Sequence, residues 1–161
     1  MKSVTLRSAT INDCKTILTL IEQLAEFEKL SNEVVATEES LRETLFHPEF
    51  SPKIILAEQE GMAVGFALYF YNYSTFLARP GIYLEDLFVI PEQRNQGIGL
   101  QLLSAIAKEA IKLNCGRIEW SVLKWNMHAK RFYERLGAGP QTEWEVYRLT
   151  GNSIQNLANK R

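Results

Sequence analysis

Glu85 and Asp86 stand side by side in an otherwise apolar run, Tyr83-Leu84-Glu85-Asp86-Leu87-Phe88-Val89-Ile90. Paired carboxylates can hold a cation or take a proton from it. An aliphatic amine, with a pKa near ~10.4, arrives protonated at neutral pH and needs such a base before it can attack anything. The run ends in Pro91 and the turn Arg94-Asn95-Gln96-Gly97-Ile98-Gly99, after which the pattern becomes helical. Glycines there let a ligand come close to the backbone, and Arg94 has the fork geometry that matches a phosphate. A helix starting at this turn offers free backbone N–H groups to an anion such as a pyrophosphate. Leu102 occupies the place of the third glycine in GxGxxG, and no Lys-Ser/Thr follows. Neither a dinucleotide fingerprint nor a P-loop is therefore present. An ordinary glycine turn opening a helix has the same spacing.

Other chemistry-bearing residues are sparser. Tyr133 lies seven residues after Asn126 on a short amphipathic stretch, a pattern that fits core packing as well as a working hydroxyl. Glu28 and Glu33 close the first helical segment and could equally be solvated surface carboxylates. Trp120 and Trp144 suit core packing better than the wall of a site. His47 and His128 are isolated. Cys14 and Cys115 lack a CxxC pattern and nearby histidines, so neither a metal site nor a disulfide framework is expected, and both read as core thiols.

The elements that must position these groups follow from periodicity. Residues 4–9 alternate as a short strand, and Thr10 with Asp13 opens a helix to about residue 29, with Ile17, Leu20, Ile21, Leu24 and Phe27 on one face. A second helix starts at Thr37 and closes near Pro48. Residues 53–58 and 63–73 form strands joined by a tight turn at Gln59-Glu60-Gly61-Met62. The strand bearing Glu85 spans about 82–90, and a long helix with Ile98, Leu102, Leu103, Ile106, Ala110 and Leu113 inward spans about 96–114. A strand over 117–123, a helix capped by Asn126 over 127–136, a strand over 143–150 and a terminal helix over 153–159 complete the chain. Hairpins mixed with crossovers imply an α+β fold. Neighbours on a strand face opposite ways, so alternation sets Glu85 and Asp86 on opposite faces unless a bulge intervenes.

Composition limits the function. The 161 residues, 46% of them apolar and 23% charged, suit one domain over residues 1–161. A formal net charge of −1 and no basic block argue against a nucleic-acid partner. No apolar leader opens the chain and no run approaches a membrane span, so a soluble cytoplasmic protein with no membrane partner is expected.

On these residues the chain resembles the GNAT superfamily of N-acetyltransferases. The superfamily's acetyl-CoA motif, Gln/Arg-x-x-Gly-x-Gly/Ala, is matched by the turn from Arg94 to Gly99. More narrowly, the chain resembles the spermidine/spermine (diamine) acetyltransferase branch, which also includes thialysine acetyltransferases. The words that carry this are Leu6-Arg7-x-Ala9-Thr10-x-x-Asp13-Cys14, Leu24-Ala25-Glu26-Phe27-Glu28, Tyr83-Leu84-Glu85-Asp86-x-Phe88-Val89, Trp125-Asn126 and Phe132-Tyr133-x-Arg135-x-Gly137-Ala138. The resemblance implies a GNAT fold, a mixed, mostly antiparallel sheet of six or seven strands flanked by about four helices. It also implies acetyl transfer from acetyl-CoA to a small primary amine by direct attack, with no metal. Glu85 would be the base, through water, and Tyr133 the general acid. Leu87, Phe88, Val89, Arg94, Asn95, Gln96, Gly97, Ile98, Gly99, Asn126 and Tyr133 would hold acetyl-CoA. Glu28, Glu33, Glu85 and Asp86 would hold the amine, and the protein would be a homodimer. Polyamines or diamines lead as acceptors. A thialysine-like amino acid, a protein lysine or N-terminus, and acyl-CoA binding without turnover are the alternatives.

Overall fold

The computed structural model describes residues 3–160; residues 1 and 2 of the stretch read for a leader, and residue 161, lie outside it. The chain forms two compact units, Met1–Leu123 and Lys124–Arg161.

In the first unit, β1 (Thr5–Ser8) leads through a 3-10 turn, Ile11–Asp13, into α1 (Cys14–Phe27). A second 3-10 turn, Ser31–Glu33, precedes α2 (Glu38–Leu45). Thr37 caps α2, its hydroxyl accepting from the Ser40 amide at 3.1 Å. β2 (Lys53–Gln59) and β3 (Met62–Ser74) form a hairpin whose turn residues Glu60 and Gly61 both have positive φ, 51° and 78°. That backbone twist matches the twist of paired strands. β4 (Arg79–Val89) returns beside β3, and α3 (Ile98–Lys112) crosses over to the short β5 (Ile118–Trp120). Sheet order is β1-β2-β3-β4-β5, antiparallel except for the parallel β4–β5 pair.

Both faces of this sheet are covered. On one, Ile54, Leu56, Phe66, Leu68 and Phe88 pack with Cys14, Ile17 and Leu20 of α1 and Leu41 and Leu45 of α2. On the other, Tyr71 of β3 reaches α3, its hydroxyl donating to Glu109 at 3.2 Å. Ile98, Leu102, Leu103, Ile106 and Ala110 form the buried stripe of α3. Cys14 is fully buried, as expected, whereas Cys115 is only partly so, because it follows the exposed end of α3.

The second unit contains α4 (Met127–Arg135) and α5 (Asn152–Ala158). Between them no strand forms over residues 143–150, which corrects the expected last strand and leaves five strands, not six or seven, among the described residues. Apolar alternation alone does not make a strand, since the ladder needs a hydrogen-bonded neighbour. Trp144, expected in a core, is instead 80% exposed.

The start of α1 is tied by charge. Arg7 donates to both Asp13 oxygens, at 2.8 and 2.9 Å, and its Nε to Glu58 at 2.9 Å, while the Thr10 amide donates to Asp13 at 2.7 Å. These contacts hold the Asp13 carboxyl down at about 2, chiefly through the Arg7 bonds. A carboxyl lowered in the folded state adds stability that is complete above its unfolded value and is lost as pH falls through the folded one. Arg7 is 38% exposed, so solvent screens the pair. Asp13→Asn should cost about 1 kcal/mol at neutral pH. The difference from wild type should shrink as pH falls from about 4 to about 2, as read by urea titration at each pH.

Candidate active site

β4 carries the feature that assembles the site. In its ladder with β3, Tyr69 pairs with Leu84 and Leu68 with Asp86, so Glu85 is the extra residue of a bulge. A bulge breaks alternation. Upstream, Tyr83 stacks on Phe70 at 5.3 Å between ring centroids, and stepping two residues on brings Glu85 to that same face. Downstream, Phe88 belongs to the α1–α2 core, and stepping two residues back brings Asp86 there as well. Phe70, Leu68 and Phe66 share one face of β3 by alternation, so the two carboxylates look the same way, not opposite ways as alternation alone implies.

The electrostatics follow from that juxtaposition. The Asp86 carboxyl is raised to about 6, first by burial, then by the negative charge of Glu85, then by that of Glu28. Glu28 caps the C-terminal end of α1, its amide donating to Leu24 at 2.9 Å. Its own pKa is raised by burial. A carboxylate there also meets the negative end of the helix dipole. Glu28, Glu85 and Asp86 thus form one acidic group, while Glu33 is exposed on the turn Ser31–Glu33. A cation entering this group would relieve the mutual repulsion.

Immediately after β4 comes the glycine turn. Asn95 and Gly97 have φ of 62° and 79°, and Gly97 opens α3 with no side-chain cap. A Cβ added at Gly97 or Gly99 would meet nothing within 4 Å, so no protein atom crowds either position. Arg94 is held within the protein: its Nε donates to the Val89 carbonyl at 2.9 Å. Its guanidinium lies over the Phe27 ring at 4.3 Å and the Phe88 ring at 5.5 Å from the centroids. It therefore anchors the turn to β4 and to the end of α1, next to Glu28. Gln96 donates to Gln93 at 2.8 Å and accepts from Gln59 at 3.4 Å.

β4 pairs with β5 only from Ile82 to Leu84, opposite Ile118 to Trp120. Beyond Leu84 the register with β5 ends, and the stretch Leu87, Phe88, Val89 has β3 alone as its strand neighbour among the described residues. An extended amide chain could add to such an edge as a further strand. Trp120, at the end of β5, is partly buried.

In the second unit, Asn126 caps α4, its Oδ1 accepting from the Ala129 amide at 3.2 Å. Tyr133, also on α4, is partly buried with its ring 5.5 Å from that of Phe132. Sequence reasoning left a bulge open without placing it, and missed the Arg94 stack and the buried Gln59. Nothing in the residue types of β4 signals an extra residue, and stacking partners 67 positions apart in sequence, Phe27 and Arg94, have no local signature. Among the described residues no helix is long and apolar enough to cross a membrane.

Residues 20–138 match the model of the acetyltransferase (GNAT) family. The chain is 40% identical to a thialysine N-epsilon-acetyltransferase of Bos taurus, over 99% of this chain and all of that one. It is 36% identical to an L-ornithine N5-acetyltransferase of Arabidopsis thaliana, over 94% of this chain and 86% of that one. An integron cassette protein from the mobile metagenome of V. cholerae superposes with a TM-score of 0.80 at 32% identity, covering 99% of this chain and all of that chain. The chain belongs to the GNAT family and is an N-acetyltransferase.

Burial among like charges makes ionised Asp86 unfavourable to the fold. A carboxyl raised in the folded state stabilises below its unfolded value and loses that stability as pH rises through the folded one. Asp86→Asn should therefore raise stability at pH 7.5 by on the order of 2 kcal/mol. The gain should vanish below about pH 4, as followed by thermal melts across pH.

Proposed function

We infer that this acetyltransferase moves the acetyl group of acetyl-CoA to a primary amine of a small cationic acceptor, by direct attack in a ternary complex. The observation that carries this reading is the bulge, which gathers Glu85 and Asp86 on one face with Glu28 beside them. Such an acidic group suits an acceptor that brings more than one positive charge. Among acceptors, the side-chain amine of a diamino acid comes first, because the full-length relatives at 40% and 36% identity carry thialysine and ornithine in their names. Free polyamines and diamines come next, with a spermidine/spermine acetyltransferase-like protein of Homo sapiens at 26% identity. A protein lysine fits less well, since its neighbouring backbone is uncharged.

In this reading the backbone of Gly97, Ile98 and Gly99 holds the pyrophosphate, and Asn95 and Gln96 shape the turn. Arg94 sets that turn against β4 and adds its positive charge. The pantetheine arm lies along Leu87, Phe88 and Val89 as an added strand, and Asn126 is a donor contact only as the family resemblance implies. Glu85, with Asp86 beside it, takes a proton from the ammonium through water, and Glu28 and Glu33 draw in the acceptor's other charge. The freed nitrogen attacks the thioester carbonyl to form a C–N bond. The C–S bond then breaks, and the departing sulfur takes a proton from Tyr133, the role that the family motif Phe-Tyr assigns it. The products are an acetamide and CoA thiol. Two free cysteines suit a reducing cytoplasm as the place of action.

We further infer a homodimer. Val146 and Tyr147 are 83% and 91% exposed beside the exposed Trp144, in a segment of strand-like composition without a strand. Apolar surface of that kind marks an interaction site, and a second copy's sheet edge would supply the strand neighbour that the segment does not have among the described residues.

Thiol release measured with thialysine, ornithine, lysine, spermidine, putrescine and a lysine peptide tests the acceptor. Turnover should be greatest with a free diamino acid, and a preference for the peptide would overturn the small-molecule reading. Gly97→Asp should abolish CoA binding in calorimetry. Tyr133→Phe should lower kcat about 10- to 100-fold with CoA affinity retained. With the raised Asp86 carboxyl in the site, kcat/KM should fall below about pH 6, and Asp86→Asn should remove that limb. Sedimentation should give twice the chain mass for wild type and one chain mass for Trp144→Asp/Tyr147→Asp.

A further inference from the structure

Gln59 is a buried polar side chain outside both the acidic group and the glycine turn. It is the last residue of β2, 3% exposed, and its Oε1 is buried with no hydrogen-bond partner. An apolar side chain there would leave no buried carbonyl unpaired. An unsatisfied buried amide calls for a reason. The reason lies at its other end. Its Nε2 donates a long bond of 3.4 Å to the Gln96 Oε1, 37 residues away, and the Gln96 Nε2 donates to the Gln93 Oε1 at 2.8 Å. These three amides run in one direction from the β2–β3 hairpin into the turn that opens α3. Gln93 in turn donates its backbone N–H to Ile90 at 3.0 Å, at the end of β4.

The hairpin is itself rigidly seated against β4. The Ile90 amide donates to the Val64 carbonyl at 2.9 Å, and a Cβ at Gly65 would come within 2.7 Å of the Phe88 carbonyl. Gln59 therefore reaches Gln96 from the hairpin, and the turn holding Asn95 and Gly97 at positive φ is met there by a side chain only 3% exposed. Arg94 braces the same turn from the α1 side.

We propose that Gln59 is a positioning residue for the donor site, holding Gln96 so that the turn from Arg94 to Gly99 keeps the form that binds the pyrophosphate of CoA. The inference rests on the acetyl-CoA reading and names a residue outside the motif that carries it. Gln59 touches neither donor nor acceptor. Its effect passes through Gln96 alone, so it belongs to donor affinity and not to the chemical step.

Calorimetry with coenzyme A and steady-state kinetics test this on Gln59→Leu, Gln96→Leu and the double variant. Gln59→Leu should weaken CoA binding and raise the KM for acetyl-CoA about 3- to 10-fold, the worth of one hydrogen bond. The kcat and the acceptor KM should stay within twofold of wild type. The double variant should be no weaker than Gln96→Leu alone, because both substitutions break the same chain. Gln96 is partly exposed, so Gln96→Leu reports on the chain even if Gln59→Leu fails to fold: unchanged CoA affinity there overturns the proposal. Unchanged affinity in a folded Gln59→Leu, or effects that multiply in the double variant, would also overturn it. A wild-type protein that binds no coenzyme A would overturn the donor reading and this inference together.

Discussion

Two adjacent carboxylates on a regular β-strand point away from each other, and only an extra residue in the ladder can turn them to one side. That constraint governs this molecule. The bulge at Glu85 lets Leu84 pair with Tyr69 and Asp86 with Leu68, so β4 changes the face it presents partway along its length. Ahead of the bulge, Ile82 lies opposite Tyr71, whose hydroxyl reaches α3. After it, Phe88 packs with α1 and α2. One inserted residue thus serves both the core and the site. It keeps apolar residues inward on both stretches of the strand and leaves the two acids together.

Placing acids together costs stability, and the surrounding structure shows what holds them there. Asp86 sits partly buried beside Glu85 and within reach of the charge on Glu28, and its carboxyl rises to about 6. Like charges held close in low dielectric are poised to accept a cation or a proton. Glu28 is held there by the end of α1, and Phe27, the residue before it, carries the Arg94 guanidinium on its ring. The acidic group and the glycine turn are therefore linked through two consecutive residues. The acids and the turn are thus built on the same few contacts.

The turn is held from two sides. Arg94 is bonded to the Val89 carbonyl and stacked on two rings, and the three glutamine amides brace the turn from the hairpin side. A loop that binds an anion through backbone N–H groups works only if those groups already point inward, since ordering them on binding would cost affinity. The supports come from α1, β2 and β4, elements far apart in the chain.

The sequence by itself determined the class of fold, the order of most elements and the place of the glycine turn that opens α3. These depend on short-range signals: apolar periodicity, Thr37 and Asn126 as helix caps, Glu60-Gly61 as a hairpin turn, and glycines before a helix. It also marked Glu85 and Asp86 as the acids to watch. Only the tertiary structure decided that they share a face, because a bulge is a property of two paired strands and is written in neither strand alone. The same holds for Arg94 and Gln59, whose partners are distant in sequence. It holds in reverse for residues 143–150, whose alternation reads as a strand but finds no neighbour among the described residues to complete a ladder. Local patterns specify what a segment can become, and pairing across the fold decides whether it does.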